Sequence, residues 1–318
     1  MHHIEIVSQL EGAHLEQLPE LLGAATRADG HEPLGEHKFL RLKRGGDLGV
    51  AVLAYEDSAL AGYAHTVTFD DTCDRRVSCE FVVHPRYRRR GVGRMLLSHA
   101  LLHAETQDAA RMDVWAYNDS TASERIAARF GFTPSRRLYH LHRHAGDAPV
   151  PEAMPGTSLR TFRPGEDDAR WLALNNRIFN GHPENGAWTI EDLHARMAQS
   201  WFNADDFLLL EADGSAAGFC WVKVEERGDE GRVGEIYVIG VADEHRGRGY
   251  ARHLLMQALH RMAARRATTA AIYVDATNTN ALGLYDSAGF HRHHVDVCYS
   301  RDLRASVRLG RMLDEAAA

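Results

Sequence analysis

Residues 246–252 read Arg246-Gly247-Arg248-Gly249-Tyr250-Ala251-Arg252 and follow the apolar run Tyr237-Val238-Ile239-Gly240-Val241. This order predicts a strand, a glycine loop and a helix. The N-terminus of a helix presents unpaired backbone N–H groups and the positive end of a dipole, and glycine allows close approach to the backbone. We therefore expect an anion site suited to a pyrophosphate. The predicted helix carries apolar side chains at helical spacing: Leu254, Leu255, Ala258, Leu259 and Met262.

The same pattern occurs in the first half of the chain. Arg88-Arg89-Arg90-Gly91-Val92-Gly93-Arg94 follows the run Phe81-Val82-Val83. Gly91 and Gly249 are 158 positions apart (249 − 91), and the same interval separates the two later Gly-Phe pairs, Gly131-Phe132 and Gly289-Phe290. A period of this length indicates a duplicated domain.

The length of 318 residues agrees with two domains. Segment 145–156 contains three prolines and two glycines with few large apolar residues, which is typical of a linker. We predict one domain over residues 1–144 and a second over residues 157–318.

Strand and helix patterns alternate in the second half and repeat in the same order in the first half. This alternation predicts a mixed α/β fold with a mixed sheet in each domain. Thr189 and Asp192 form a capping-box pattern at the start of one helix. We predict helices through residues 171–179, 189–200, 250–262 and 279–287, and strands at 158–163, 207–211, 218–225, 234–241, 270–275 and 290–299.

Composition excludes several classes of protein. The net charge is −7, which argues against a general affinity for nucleic acid. No apolar run reaches the ~18 residues of a membrane span, and the N-terminal residues lack the apolar region of a signal peptide. We expect a cytoplasmic monomer without nucleic-acid or membrane partners.

The cysteines and histidines show no metal-ligand spacing. The four cysteines form no Cys-x-x-Cys pair, and the twenty histidines are scattered apart from short clusters. We expect buried or free thiols in a reducing compartment, and no metal. The cysteines are Cys73, Cys79, Cys220 and Cys298.

A further motif, Asn278-Thr279-Asn280-Ala281-Leu282-Gly283-Leu284-Tyr285, precedes Gly289-Phe290. The strand, the Arg-x-x-Gly-x-Gly/Ala loop and this helix, in this order, resemble the Gcn5-related N-acetyltransferase fold. In that fold the loop cradles the pyrophosphate of acetyl-coenzyme A (acetyl-CoA). The resemblance implies that two tandem domains of this fold contact acetyl-CoA, through Phe81, Val82, Val83, Arg89, Arg90, Gly91, Val92, Gly93 and Arg94 in the first half. In the second half the implied contacts are Ile239, Gly240, Val241, Arg246, Gly247, Arg248, Gly249, Tyr250, Ala251, Arg252, Asn278, Thr279, Asn280, Ala281, Leu282 and Gly283.

A closer resemblance covers nearly the whole chain. Segments 182–186, 221–224, 234–241, 272–278 and 295–299 look like the mycothiol synthase family. That family acetylates the cysteinyl amine of the pseudo-disaccharide conjugate Cys-GlcN-Ins to make mycothiol. The resemblance implies that the C-terminal domain is catalytic and that the N-terminal domain binds acetyl-CoA without turnover.

Acetyl transfer to an amine needs a base for the ammonium and an acid for the departing thiolate. Glu235 fits the base, since it begins the apolar strand before the loop, where we expect partial burial to raise its pKa. Tyr285 fits the acid. The positions 158 residues earlier hold Val77 and Ala127, so the first domain lacks both groups. The alternatives are a solvent-exposed glutamate at a strand end and a tyrosine that only packs in the core.

Four residues match family positions that hold the acceptor: Glu184, Lys223, Tyr273 and, reaching over from the first domain, Glu36. Glu235 counts among the substrate contacts as well. Taken singly, each would more often be a solvated surface group or, for Tyr273, a core residue of a strand. One departure from the loop pattern is Ala251 in place of the last glycine, and we expect binding to survive it if this residue is already helical.

Two other functions remain open. The chain could be a tandem acetyltransferase for another small amine, such as an aminoglycoside or a peptide N-terminus. It could also be a non-catalytic acyl-CoA sensor, a role that suits the first domain better than the second.

Overall fold

The computed structural model describes residues 2–35, 49–70, 75–146, 148, 150–182 and 187–304, without the side chains of His2, Asp70 and Asp229. Contacts divide the chain into two compact units. Unit 1 takes Met1–Leu138 together with the chain from His294 onward, and unit 2 takes Tyr139–His293. The limits of the units fall inside two strands, so each unit includes part of a strand from the other half of the sequence. The boundaries at residues 144 and 157 stay a prediction.

Unit 1 is a mixed sheet with three described helices. Its strand order is β1-β2-β3-β4-β5-β12, in which β4 and β5 run parallel. The other pairs given by register are antiparallel. The elements are β1 His2–Val7, α1 Ala13–Asp29, β2 Val50–Glu56, β3 Ala59–Asp70, β4 Arg75–Val83, α2 Val92–Thr106, β5 Arg111–Ala116, α3 Thr121–Arg129 and β12 His291–Asp302.

Unit 2 repeats this plan. Its strand order is β6-β11-β10-β9-β8-β7, and β10 and β11 form the parallel pair. The elements are β6 Thr133–His144, β7 Thr157–Thr161, α4 Asp168–Ile178, α5 Ile190–Met197, β8 Phe207–Ala212, β9 Ser215–Glu226, β10 Arg232–Val241, α6 Tyr250–Ala264, β11 Thr269–Asp275 and α7 Thr279–Ser287.

The 158-residue repeat extends to the element boundaries. Helix α2 maps onto α6, α3 onto α7 and β6 onto β12 with the same interval at both ends. The repeated strands β6 and β12 each join strands that come from the other half of the sequence. Strand β12 pairs with β5 in unit 1, and β6 neighbours β11 in unit 2. The predicted mixed α/β fold and its repeated order are confirmed.

Apolar side chains cover both faces of the sheet in unit 2. On one face, Leu254, Leu255 and Met262 of α6 are buried against the sheet. A Cβ at Gly234 would lie 2.5 Å from the Met262 Cγ, so only glycine lets this helix pack so closely. The other face carries an aromatic core around Trp171 and Trp221. No helix among the described ranges is long and apolar enough to cross a membrane.

Candidate functional site

The two glycine loops have the same backbone conformation. Gly249 precedes α6 with φ 83°, and Gly91 precedes α2 with φ 90°. Gly247 has φ 77°, and its counterpart Arg89 also has a positive φ of 63°. Neither glycine cap provides a side-chain hydrogen bond to its helix, so the first N–H groups are open to an anion. Ala251 lies inside α6. This residue is therefore already helical, which is the condition under which we expected binding to survive its methyl group.

The strands of unit 2 separate at Glu235. Parallel register between β10 and β11 joins Val233–Glu235 to Thr269–Ala271 and goes no further among the described residues. The ladder to β9 also has a bulge between Ile236 and Val238. Beyond Glu235, β10 continues to Val241 without register to β11 among the described residues.

Glu235 is buried and ionised. Its side chain is 11% exposed and forms an ion pair with the guanidinium of Arg227. Burial raises the pKa of Glu235, but Arg227 and Lys223 outweigh it, and the net pKa is lowered. The expectation of a raised pKa was therefore wrong, because the cations that reverse the effect of burial come from the neighbouring strand and its turn. The solvent-exposed alternative for Glu235 does not hold.

Four charges of alternating sign form a chain around this carboxylate. The Lys223 Nζ lies 3.2 Å from Glu225 Oε1, and the Arg227 Nε lies 2.8 Å from the same oxygen. Lys223 is also the cross-strand neighbour of Glu235 and lies 5.2 Å above the Trp201 ring. Burial of a charged group is costly unless it has a partner of opposite charge, and each of these four groups has one. Lys223 is thus a buried residue of the candidate site.

A histidine cluster adjoins the charged chain. His142 is 8% exposed, and its charge interactions include Glu235 and Arg227. Its ring stacks on His293 with centroids 4.1 Å apart, and His140 stacks on Tyr273 at 4.1 Å. Burial lowers the pKa of His142 to about 4, with His293 contributing, so the imidazole is neutral at pH 7. Tyr273 is 42% exposed, unlike a core residue of a strand.

Tyr285, on α7, belongs to the core cluster that also contains Leu254 and Met262. It is 5% exposed, with its ring 5.9 Å from that of Phe290. Burial raises the pKa of Tyr285, so its hydroxyl keeps its proton at neutral pH. Both interpretations, core residue and proton donor, are compatible with this position. Asn278 caps α7, since its side chain accepts a hydrogen bond from the Ala281 N–H at 3.1 Å.

Comparisons with known proteins agree with this geometry. A family model described as "Acetyltransferase (GNAT) family" matches residues 15–132 and 170–290. A protein from Thermobispora bispora named "Mycothiol acetyltransferase" is 42% identical over 285 residues, which is 88% of this chain and 94% of that relative. A relative of the same name from Streptomyces griseus is 40% identical over 93% of this chain and 94% of its own length.

The chain belongs to the mycothiol acetyltransferase family.

Solved structures show the fold of this family member. A GCN5-related N-acetyltransferase from Sphaerobacter thermophilus matches with a TM-score of 0.67 and 24% identity, covering 95% of this chain and 96% of that one. A tandem GNAT protein from the clavulanic acid biosynthesis pathway matches with a TM-score of 0.69 and 17% identity, covering 94% of this chain and 98% of that one. At these identities the structural matches establish the tandem fold alone.

Unit 1 of this mycothiol acetyltransferase family member lacks the two predicted catalytic groups. Val77 is 0% exposed and Ala127 is 5% exposed, at the positions of Glu235 and Tyr285. Unit 1 does bury another carboxylate, Glu80, which accepts hydrogen bonds from the Tyr117 hydroxyl at 2.7 Å and the Gly35 N–H at 2.9 Å. Sequence reasoning did not single out Glu80.

Several sequence predictions fall outside what the structure describes. Glu36, Glu184 and Cys73 lie outside the described residues. Cys79, Cys220 and Cys298 are buried free thiols. Groups of three or more candidate metal ligands are absent from the described part of the chain.

Sequence reasoning also missed residues of the site. Arg227, Glu225 and His142 were not predicted, and they surround Glu235. The only sequence signal for Arg227 was its charge and its position shortly before β10. Charged residues are common in surface turns, so this signal did not indicate a residue of the site.

Proposed function

We propose that the chain catalyses the last step of mycothiol formation. It transfers the acetyl group of acetyl-CoA to the cysteinyl amine of Cys-GlcN-Ins, giving mycothiol and CoA. The observation that carries the proposal is Glu235, a buried ionised carboxylate at the point where β10 and β11 separate, on the strand that leads to the glycine loop before α6. The names of relatives about 40% identical over nearly the whole chain support the choice of acceptor.

The residues present fit acetyl-CoA. Both glycine caps are left-handed and lack a side-chain cap, and a Cβ placed at Gly247 or Gly91 would meet nothing within 4 Å. A pyrophosphate can therefore approach the N–H groups of either helix. When bound there, acetyl-CoA supplies a thioester as the acetyl donor.

Glu235 is the proposed base. A cysteinyl α-amine has a pKa of about 8, so most of it enters as the ammonium at neutral pH. Glu235 is ionised throughout this range because Arg227 and Lys223 lower its pKa. A carboxylate with a low pKa is a weak base, so we assign it two tasks: it holds the ammonium by charge, and it takes the proton through a water as the amine becomes the nucleophile.

Tyr285 is the proposed acid. Its raised pKa keeps the hydroxyl protonated, so the proton is available when the thiolate of CoA departs. Backbone N–H groups near Ile239–Val241 would polarise the thioester carbonyl, in the manner of an oxyanion hole. The reaction releases one proton overall, the one that the ammonium brings.

Acceptor recognition is assigned to Lys223 and Tyr273, with Glu184 and Glu36 from the sequence pattern. Lys223 lies beside Glu235 in the ladder, and Tyr273 presents an exposed ring. Hydroxyl groups of the sugar and inositol would pair with these polar groups. A site built in this way rejects amines that lack the hydroxyls, because its own polar groups are then left unpaired.

Unit 1 is assigned acetyl-CoA binding without turnover. The motive is a glycine loop with the conformation of the second one, together with Val77 and Ala127 in place of the acid–base pair. We further propose that the chain works in the cytoplasm as a monomer, on the basis of its composition.

The test is a panel of amines assayed with acetyl-CoA, with release of the CoA thiol as the readout. Cys-GlcN-Ins should exceed a cysteinyl peptide and an aminoglycoside in kcat/KM by at least about 10²-fold. Comparable kcat/KM for the conjugate and a cysteinyl peptide would leave an acetyltransferase with another acceptor. Binding of acetyl-CoA without turnover of any amine would favour the sensor.

A further inference from the structure

A basic cavity in unit 2 lies outside the chemistry described so far. It has a volume of about 390 Å³ and opens between the first turns of α6 and the end of α7. Its lining residues include Arg143, Arg252 and His144. The chain as a whole has a net charge of −7, so this concentration of positive charge is local.

The two arginines differ from those of the glycine loop in their partners. Arg246 and Arg248 each lie within 3.0 Å of an aspartate of their own chain. Arg143 instead donates hydrogen bonds to the carbonyls of Ala288 at 2.5 Å and His144 at 3.1 Å, and Arg252 donates to the Ser287 hydroxyl at 3.2 Å. Within the described ranges neither has a carboxylate at salt-bridge distance, so their charge is not neutralised.

The internal repeat links this cavity to the coenzyme and not to the acyl transfer. Arg301 lies 158 positions after Arg143 and donates to the Phe130 carbonyl at 3.0 Å, and Phe130 lies 158 positions before Ala288. Unlike Arg143, Arg301 also has a carboxylate nearby, with its Nη2 3.9 Å from Glu105 Oε1. Arg94 is the counterpart of Arg252 in the first turn of α2. Unit 1 thus keeps its glycine loop and both arginines, but it has lost the acid–base pair.

The position and charge define the ligand. Arg252 is in the first turn of the helix whose N-terminus is open to a pyrophosphate, so the cavity lies within reach of a ligand anchored there. A guanidinium binds phosphate oxygens through two parallel hydrogen bonds, and two of them suit a dianion. The proposed acceptor carries no anionic group. Coenzyme A does carry a second phosphate, the monoester on the ribose next to its pyrophosphate.

We propose that Arg143 and Arg252, with His144, form the subsite for the 3′-phosphate of coenzyme A in unit 2, and that Arg301 and Arg94 form the equivalent subsite in unit 1. The inference rests on the proposed function, since it requires that the glycine loops bind coenzyme A. It adds a binding role for Arg143 and Arg301, which lie outside the loop segments.

The test compares coenzyme A with 3′-dephospho-coenzyme A by calorimetry on the full chain. A hydrogen-bonded charge pair contributes about 1.5–3 kcal/mol, so the wild type should bind coenzyme A more tightly than the dephospho form by about tenfold or more at each site. Arg252→Gln should abolish this preference at one site and leave the affinity for the dephospho form unchanged. Arg94→Gln should do the same at the other site.

Arg143→Gln should behave as Arg252→Gln does. Should loss of the Ala288 hydrogen bond prevent Arg143→Gln from folding, the exposed Arg252 carries the test alone. Arg261→Gln is the matched control, because it removes a positive charge from the same helix outside the cavity, and it should keep the full preference. As a second readout, kcat/KM for acetyl-CoA should fall in the unit 2 variants and stay at the wild-type value in Arg261→Gln.

Each result decides a separate question. A wild type that binds both forms equally overturns the subsite and leaves the proposed function intact. Variants that weaken both forms to the same extent also overturn it, since their effect is then on structure. A chain that binds neither form contradicts the proposed function itself.

Discussion

Arg227→Gln tests whether the ion pair with Glu235 sets the ionisation of the proposed base. Removing one partner of a buried pair costs about 3–5 kcal/mol, because the other charge is left uncompensated. The two side chains are 25% and 11% exposed, and Lys223 stays beside the carboxylate. We therefore expect the low end, about 3 kcal/mol of unfolding free energy at pH 7.5.

The sign of the pH dependence follows from linkage. In the wild type the pKa of Glu235 is lowered, so its stabilising contribution is present above the unfolded pKa of about 4.3 and is lost as pH falls through the folded pKa. In Arg227→Gln, burial becomes the stronger influence and the pKa of Glu235 rises. The variant is then least stable at neutral pH, and the difference from the wild type shrinks as pH falls toward 4, where the carboxyl is protonated.

The assay is urea unfolding of both proteins at several pH values between 4.5 and 8, paired with the pH profile of kcat/KM. The acid limb of that profile should move to higher pH in the variant. Arg232→Gln is the matched control on the same hairpin: its pair with Glu226 is 43% and 64% exposed, and exposed pairs contribute about 0–1 kcal/mol. If Arg227→Gln costs no more than this control, or if its acid limb stays in place, the ion pair does not set the pKa of the base.

Four further outcomes are expected. Glu235→Gln should fold and bind acetyl-CoA while losing roughly 10²–10⁴-fold in kcat; an unchanged rate from pH 6 to 9 would exclude it as the base. Tyr285→Phe keeps the ring packing and should lower kcat by roughly 10²-fold with little change in melting temperature, whereas a protein that melts much earlier but is fully active when folded would make Tyr285 a core residue only. Gly91→Val forces a branched residue to φ 90° and should remove one of two acetyl-CoA sites in calorimetry while sparing most of the activity; loss of activity instead would place catalysis in unit 1. Lys223→Ala should raise KM for Cys-GlcN-Ins and leave KM for acetyl-CoA nearly unchanged, and an equal rise in both would argue against a role in acceptor binding.

The glycine loops were predictable because their geometry is local. Gly91 and Gly249 adopt positive φ directly before a helix, and neighbouring residues alone determine that arrangement. The capping box of Thr189 and Asp192 was predictable for the same reason, and the structure confirms it. The helix predicted over 189–200 ends at Met197.

The surroundings of Glu235 were not predictable. The sequence indicated burial, which raises the pKa of a carboxyl, but the sign of the shift depends on Arg227, Lys223 and His142. Lys223 reaches Glu235 through strand register, and His142 is 93 positions away (235 − 142). Electrostatic interactions act over a few ångströms, and sequence spacing does not report such distances between strands.

The sequence by itself determined that the fold is duplicated, that each copy has a glycine loop before a helix, and that only the second copy has Glu235 and Tyr285, the proposed acid–base pair. The sequence could not determine which of the two sheets is joined by the last strand of each repeat, β6 or β12. Strands β6 and β12 are copies of one another at the 158-residue interval, so their hydrophobic patterns suit either sheet. Only the tertiary structure decided that β12 pairs with β5 and that β6 neighbours β11, because strand pairing depends on which edges meet in space and not on the local pattern of either strand.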